Sequence, residues 1–255
     1  MIALHRDNLD TFNSLTKYPS IPTFHPLDPR GGGLLEPPLD FEGEVLLTEK
    51  VDGTNTRIAF TPDGDYVIGS RGELLHARGD RIHNPALGIV DAVRDVAEHI
   101  ARTRTFEHVT VFFGEVFGGN VTRASKQYTS ERAVGFRLFD VLEVEDAEAR
   151  LSLAPDALAR WRESGGQRFV DESRLAAEAE RAGVPLTPRL GRVTVLPQSI
   201  EEGLAFLQAH IPRTHSALDE GAGGQPEGVV VRSLDRARIA KLRFADYART
   251  LKRRR

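Results

Sequence analysis

Thr48-Glu-Lys-Val-Asp-Gly-Thr-Asn-Thr-Arg57 decides how this chain is read. The run Glu44-Val-Leu-Leu-Thr-Glu49 is strand-like and leads directly into Lys50, and Asp52-Gly53 is a turn pair, so Lys50 is expected at a strand end. A lysine in such a place can be desolvated and surrounded by other cations, which makes a nucleophilic amine available at neutral pH. In isolation an ordinary lysine before a hairpin would look the same. Further along the chain, Ser70-Arg71 follow the next strand and Phe113-Gly114-Glu115 ends a buried one. Phe136-Arg-Leu-Phe139-Asp140 forms another strand, Glu227-Gly228-Val229-Val230 begins a later one, and Lys241-Leu-Arg243 ends the next. Each feature alone has a plain structural explanation: a turn-capping carboxylate, a core aromatic, a loop acid. Their order along one chain is the informative part.

The rest of the sequence supplies a frame for these residues. Residues 1–40 are turn-rich, with Tyr18-Pro-Ser-Ile-Pro, Gly31-Gly-Gly and Pro37-Pro38, and read as an extended arm and loop. Strands are expected at Thr56–Phe60 and Tyr66–Ser70 around the turn Pro62-Asp-Gly-Asp, at Val109–Phe117, at Phe136–Leu142, at Val193–Leu196, at Gly228–Arg232 and at Ile239–Phe244. Leu87, Val90, Val93, Ala97 and Ile100 recur at helical spacing and predict an amphipathic helix over residues 85–104. Residues 154–182 read as two helical pieces broken at Gly165-Gly166, and Ile200–Ala209 as a short helix. Antiparallel strands with helices inserted between them define a mixed α+β class.

Composition narrows the function. The chain has 255 residues, 40% hydrophobic and 28% charged, as in a globular protein with a full core. The absence of cysteine excludes disulfides, cysteine-ligated zinc, iron–sulfur clusters and thiol catalysis. No signal peptide is read in MIALHRDNLD and no apolar run is long enough to span a membrane, so a cytoplasmic protein is expected. The net charge of −3 hides an asymmetry: Val231–Arg255 carries ten basic residues against two acidic ones. Such a segment reads either as a solvated helix with a frayed end or as an anion-contact surface. The eight histidines, at 5, 25, 76, 83, 99, 108, 210 and 215, show no metal spacing. Gly221-Ala-Gly-Gly-Gln-Pro lacks the Lys-Ser/Thr of a Walker loop, and Trp161 reads as a packing residue in a helix.

The ordered motifs resemble the covalent nucleotidyltransferases, which include polynucleotide ligases and RNA-capping enzymes, over about residues 15–247. Within that superfamily the chain looks most like the RNA ligase family, the phage type that seals nicks in duplex RNA. Glu49-Lys-Val-Asp-Gly-Thr-Asn55 favours it, because DNA ligases usually carry Arg where Asn55 stands, and Phe113–Gly118 and Phe136–Asp140 add to it. The resemblance implies a ligase adenylation (ATP-grasp-like nucleotidyltransferase) domain with antiparallel sheets and flanking helices. It is expected to occupy residues 1–255 as a single domain with a basic C-terminal tail and no oligonucleotide-binding barrel or separate C-terminal domain.

It also implies roles. Lys50 would attack the α-phosphate of ATP, release pyrophosphate and carry AMP, which then passes to an RNA 5′-phosphate before a 3′-hydroxyl displaces it. Glu49 would contact the adenine, Phe136 would stack on it, Glu115 would bind the ribose and Val229 would line the nucleotide site. Glu227 would hold Mg²⁺ or Mn²⁺, Lys241 and Arg243 would bind the α-phosphate, and Asn55 and Arg71 would act on the RNA ends. Arg243 stands where the family usually has Lys; it keeps the charge but excludes proton transfer at that position. Expected partners are RNA ends, an end-healing kinase–phosphatase that prepares them, and no membrane. The basic tail Lys252-Arg-Arg-Arg255, or a partner protein, is expected to supply RNA affinity that a lone catalytic domain lacks. The alternatives are a ligase of DNA or mixed strands, a GTP-using capping enzyme, and a nucleotide- or RNA-end-binding protein without turnover.

Overall fold

The computed structural model describes residues 8–78 and 88–254. His5, His83, Leu87 and Arg255 lie outside the described residues. In chain order the elements are α1 (Leu9–Leu15), β1 (Val45–Lys50), β2 (Thr54–Phe60), β3 (Tyr66–Ser70), β4 (Leu74–Ala77), α2 (Ile89–Thr103), β5 (Val109–Gly118) and β6 (Val134–Val144). They continue with α3 (Ala147–Leu151), α4 (Pro155–Glu163), β7 (Arg168–Phe169), α5 (Glu172–Ala182), β8 (Arg189–Val193), α6 (Ile200–His210), β9 (Gly228–Ser233), β10 (Ile239–Arg243) and α7 (Phe244–Arg254). The mixed class with antiparallel sheets is as the sequence predicts. The chain divides into two compact units.

The first unit draws on Met1–Ser20, Gly53–Thr122 and Val134–Leu186. Its sheet has six antiparallel strands in the order β4-β3-β2-β5-β6-β7. Both faces are covered, because successive strand residues point to opposite sides. Ile58, Phe60, Ile68 and Phe112 pack with the apolar stripes of α2 and α5. Ala59, Val67, Val111 and Phe113 pack with Phe12 and Leu15 of α1 and Leu158 of α4. Each fully buried side chain of this size contributes about 1.5–3 kcal/mol of transfer free energy, which is why β5 reads as a mostly apolar run. Helix α2 buries Ile89, Val90, Val93, Ala97 and Ile100, at the predicted spacing, and ends where Arg104 turns extended. Helix α5 begins at Asp171, whose side chain accepts the Arg174 N–H, and ends at Gly183 with φ of 64°. Such an N-cap is worth about 1 kcal/mol.

The second unit draws on Ile21–Asp52, Arg123–Ala133 and Thr187–Arg255. Its sheet has four antiparallel strands in the order β10-β9-β1-β8. Val45, Leu47, Val229, Val231, Ala240 and Leu242 form its core face with Ile200 and Leu207 of α6 and Tyr247 of α7. Helix α6 starts with a full capping box between Ser199 and Glu202.

Several elements differ from the sequence reading. The turn-rich first segment contains α1, whose Phe12 and Leu15 are fully buried. Val193–Leu196 is not the strand: β8 ends at Val193, and Val195 is 79% exposed. Pairing with β1 from Thr48 to Val45 selects Arg189–Val193 over the more apolar stretch that follows. Phe244 does not close β10 but opens α7, which carries the basic segment as a helix through Arg254. The short elements β4, α3 and β7 had no sequence signal of their own. The break at Gly165-Gly166 is as predicted, and Trp161 packs in the core with Phe113 and Leu158. Among the described residues no helix is long and apolar enough to cross a membrane.

Helix α7 anchors the basic segment. Thr250 is buried and its hydroxyl accepts the Leu34 N–H at 2.9 Å, so truncation from residue 250 would damage packing as well as remove charge. The double variant Lys252→Gln, Arg253→Gln leaves Thr250 in place. The expectation that the tail supplies RNA affinity is tested by binding titrations with RNA at two ionic strengths, which should show weaker binding and a salt slope lower by roughly one to two; an unchanged slope would show that these two residues make no phosphate contact.

Candidate active site

In the second unit the strand register arranges the motif residues. Lys50 lies opposite Gly228, and Gly228 opposite Arg243; one step on, Thr48 lies opposite Val230, and Val230 opposite Lys241. Side chains directly opposite one another share a face, so Lys50, Lys241 and Arg243 project from the same side of the sheet. The same alternation puts Arg232 on that side, and Leu46 and Thr48 bring Arg192 and Arg189 of β8 alongside. The sheet therefore has a cationic face opposite its core face.

Glu227, just before β9, organises the end of this face. The Lys50 ammonium donates to Glu227 Oε2 at 2.5 Å, and Arg243 Nη1 stands 3.6 Å from Glu227 Oε1. Lys50 and Glu227 are each 22% exposed. Lys50 was expected among cations; its hydrogen-bonded partner is instead a carboxylate that faces two of them. Arg243 is held in turn by Asp246, 2.6 Å from its Nε, and Asp246 also binds Arg249 at 2.7 Å. The backbone carbonyl of Glu227 accepts the Phe244 N–H at 3.1 Å, tying the acid to the start of α7. Gly228 makes this possible. A Cβ there would sit 1.9 Å from the Leu242 carbonyl oxygen, and the missing side chain leaves the space between Lys50 and Arg243 open.

The turn after Lys50 is fixed by a residue that the motif reading missed. The Tyr128 hydroxyl accepts the Asp52 N–H at 2.7 Å. Tyr128 is fully buried, and burial together with the carboxylates Glu49, Asp52 and Glu227 holds its hydroxyl protonated well above the usual range. Burial raises the Asp52 carboxyl too, reinforced by the Glu227 charge. Asp246 was likewise missed. Neither residue carries a sequence signal, because Tyr128 sits in an irregular segment and Asp246 reads as one more charge on a basic helix.

Glu49 and Val229 occupy the opposite face from Lys50, lying across from each other on β1 and β9. Val229 is fully buried in the core with α6 and α7. Glu49 is 1% exposed; Thr214 Oγ1 donates to one carboxylate oxygen at 2.5 Å and the His215 N–H donates to the other at 2.8 Å. Burial raises its carboxyl above the usual range, and these donors oppose the shift.

The remaining expected residues belong to the first unit. Asn55 on β2 lies opposite Glu115 on β5. Glu115 Oε1 accepts the Gly53 N–H at 3.2 Å, and a Cβ on Gly53 would meet the Val116 carbonyl oxygen at 2.3 Å, so the Asp52-Gly53 turn needs glycine. Asn55 Oδ1 is buried without a hydrogen-bond partner among the described residues. Phe136 on β6 lies opposite Val116, its ring against Gly114, where a Cβ would come within 2.2 Å. Arg71 is exposed in the turn after β3 and donates to Ser20 Oγ at 3.2 Å.

A family model for RNA ligase matches residues 43–244, so the chain belongs to the RNA ligase family. Among solved structures it is similar to a Naegleria gruberi RNA ligase with PPi, at 16% identity and a TM-score of 0.54, covering 83% of this chain and 53% of that one. A mutant of the Naegleria gruberi ligase with ATP and Mn matches at 15% identity and a TM-score of 0.54 over 81% of this chain and 51% of that one. Another mutant, with AMP and Mn, matches at 15% and 0.53 over 82% and 52%. These likenesses are of fold, and the chain spans about half the length of the structures it matches. No curated protein sequence matches it.

The close approach at Gly228 has a measurable consequence. Gly228→Ala is expected to destabilise the protein by at least about 2 kcal/mol, since β9 and β10 must separate beside Lys50. Gly64, with φ of 81° and nothing within 4 Å of an added Cβ, should lose only about 1 kcal/mol as Ala. Denaturant unfolding compares the two; equal losses would refute the close approach as the reason for glycine.

Proposed function

We propose that this member of the RNA ligase family is an ATP-dependent RNA ligase with a nucleotidyltransferase fold, which forms a covalent lysyl-AMP at Lys50. The observation that carries the reading is the Lys50–Glu227–Arg243 arrangement at the end of three paired strands, with Lys241 on the same face. Nucleotidyl transfer needs charge neutralisation and in-line positioning more than elaborate covalent machinery, and this face supplies both an amine and cations. Glu227 Oε2 is placed to take the proton that the Lys50 ammonium must lose. The amine nitrogen then attacks the α-phosphorus, the bond to the β-phosphate oxygen breaks, and pyrophosphate leaves. Arg243, held by Asp246, and Lys241 offset the phosphate charge. Arginine at 243 does so without exchanging a proton.

In the later steps an RNA 5′-phosphate displaces Lys50 from AMP, and a 3′-hydroxyl then displaces AMP and forms the phosphodiester. Asn55 and Arg71 are assigned to the RNA ends; Asn55 Oδ1, without a hydrogen-bond partner among the described residues, supports a ligand there. Glu115 and Phe136 are assigned to ribose and adenine, and Glu49 and Val229 to the nucleotide site from the core side of the sheet. Both units are assigned to one adenylyltransferase domain, since the Lys50–Asn55 motif runs through the Asp52–Gly53 boundary.

The nucleotide and manganese in the Naegleria complexes support ATP and a divalent ion as cofactors. Among the described residues no three His, Asp or Glu side chains gather as a metal cage. Glu227, set between Lys50 and Arg243, would hold that Mg²⁺ or Mn²⁺ through a carboxylate oxygen, the ligand type these ions take. Such an ion would offset phosphate charge. Substrates with a 5′-phosphate and a 3′-hydroxyl require a reaction that prepares such ends, which a kinase–phosphatase would supply.

The test uses α-labelled ATP with Mg²⁺ or Mn²⁺ and a denaturing gel. Wild type is expected to retain label and Lys50→Ala to retain none, and addition of nicked duplex RNA should discharge the label and seal the nick. Discharge by nicked DNA alone would reassign the substrate. Absence of label in folded, unadenylylated protein would overturn the reading in favour of an RNA-end-binding protein without turnover.

A further inference from the structure

Arg57 lies two residues beyond Asn55, on the same face of β2, and is fully buried. No ion pair to it exists among the described residues, and its Nε and Nη1 have no hydrogen-bond partner there. Burial pushes its guanidinium down to about 9, and the neighbouring Arg162 adds to the shift. A buried charge without a carboxylate is a poor way to stabilise a core; an apolar side chain of similar volume would do better. Its contacts show what it does hold.

Across the strand from Arg57 is Gly69, the residue before Ser70-Arg71. A Cβ on Gly69 would sit 2.8 Å from Arg57 Nε, so the glycine makes room for the guanidinium. Arg57 Nη2 donates to Asn13 Oδ1 in α1. The amide of the same Asn13 donates to the Gly72 carbonyl at 3.1 Å. Gly72 belongs to a tight turn in which Ser70 Oγ accepts the N–H groups of Gly72 and Glu73, and the Ser70 N–H donates to the Glu73 carbonyl at 2.8 Å. Arg71, at the tip of that turn, reaches Ser20 Oγ, also on the α1 side. Segment 13–20 is itself anchored: Arg162 Nη1 binds the Ser14 carbonyl at 2.8 Å, and Gln167 binds the carbonyls of Leu15 and Lys17 at 3.2 and 2.9 Å.

We infer that Arg57 and Asn13 are positioning residues for Arg71, locking the Ser70–Glu73 turn to α1 so that Arg71 meets the RNA end in the steps after adenylylation. The inference rests on the proposed role of Arg71. Arg57 orients the Asn13 amide by holding its oxygen, which leaves the nitrogen aimed at Gly72. Arg57, Asn13 and the Ser70–Glu73 turn make none of the hydrogen bonds or ion pairs given above for Lys50, Glu227, Arg243 or Glu115, so the brace is separable from lysyl-AMP formation.

Two readouts on Asn13→Ala, Asn13→Asp and Arg71→Ala test this. One is labelling by α-labelled ATP; the other is sealing, without ATP, of an RNA nick whose 5′ end already carries AMP. Asn13→Ala is expected to label within about twofold of wild type but to seal about ten- to a hundredfold more slowly, as Arg71→Ala does. Asn13→Asp keeps an acceptor for Arg57 but has no donor for Gly72. It should retain the wild-type melting temperature and still seal slowly, a pattern that loss of folding would not give. Normal sealing by both Asn13 variants beside a defective Arg71→Ala overturns the inference and leaves the ligase reading standing. Normal sealing by Arg71→Ala overturns it at its premise. Equal loss of labelling and sealing in Asn13→Ala, restored in neither readout by Asp, would reduce the brace to a folding element. Absence of label in wild type bears on the ligase reading alone, since the pre-adenylylated nick bypasses that step.

Discussion

A carboxylate set against two cations fixes the chemistry-bearing end of the four-stranded sheet. Glu227 binds Lys50 from one strand and faces Arg243 from another, while its backbone carbonyl is tied to the first residue of α7. The antiparallel register of β1, β9 and β10 brings the three together, and glycine at 228 keeps the middle of that rung free of side chain. Asp246 secures Arg243, and Tyr128 secures the backbone just after Lys50. Remove the register and the contacts of Glu227 with Lys50 and Arg243 are lost, because these three residues are far apart in sequence, whereas the Arg243–Asp246 pair is local.

The six-stranded unit uses the same economy. Its sheet is covered on both sides, so the strand ends and the turn after β3 are where side chains reach the surface. Glycines at 53, 69 and 114 each lie where an added Cβ would strike a backbone or side-chain atom at under 3 Å, and each adjoins a residue assigned to substrate or supports one. The RNA ligase family match over residues 43–244 takes in strands of both sheets.

Much of this was legible in the sequence. Strands with strong apolar runs, β1, β2, β3, β5, β6 and β9, stand within a few residues of their expected limits, because burial dictates composition there. The pairing of Lys50 with Glu227 was not readable as such, but both residues were marked by the ordered motifs around them. Illegible features share a cause: they depend on partners distant in sequence. Strand β8 is chosen by β1 rather than by its own polar composition, and α1 is a short helix made stable by burying Phe12 and Leu15. Tyr128 and Asp246 act through side-chain contacts that leave no periodicity. The separation of Glu49 and Val229 from Lys50 follows from strand alternation, which motif reading ignores when it groups adjacent residues by role.

The central claim is that the Lys50 amine is the nucleophile, with Glu227 beside it to take its proton. Peptide mapping by mass spectrometry after incubation with ATP and Mn²⁺ tests it most directly. The account predicts a mass increment of one AMP on the peptide containing Lys50, lost on mild acid treatment as a phosphoramidate would be, and greatly reduced in Glu227→Gln. An increment on any other residue, or one on Lys50 that forms equally fast in Glu227→Gln, would contradict it.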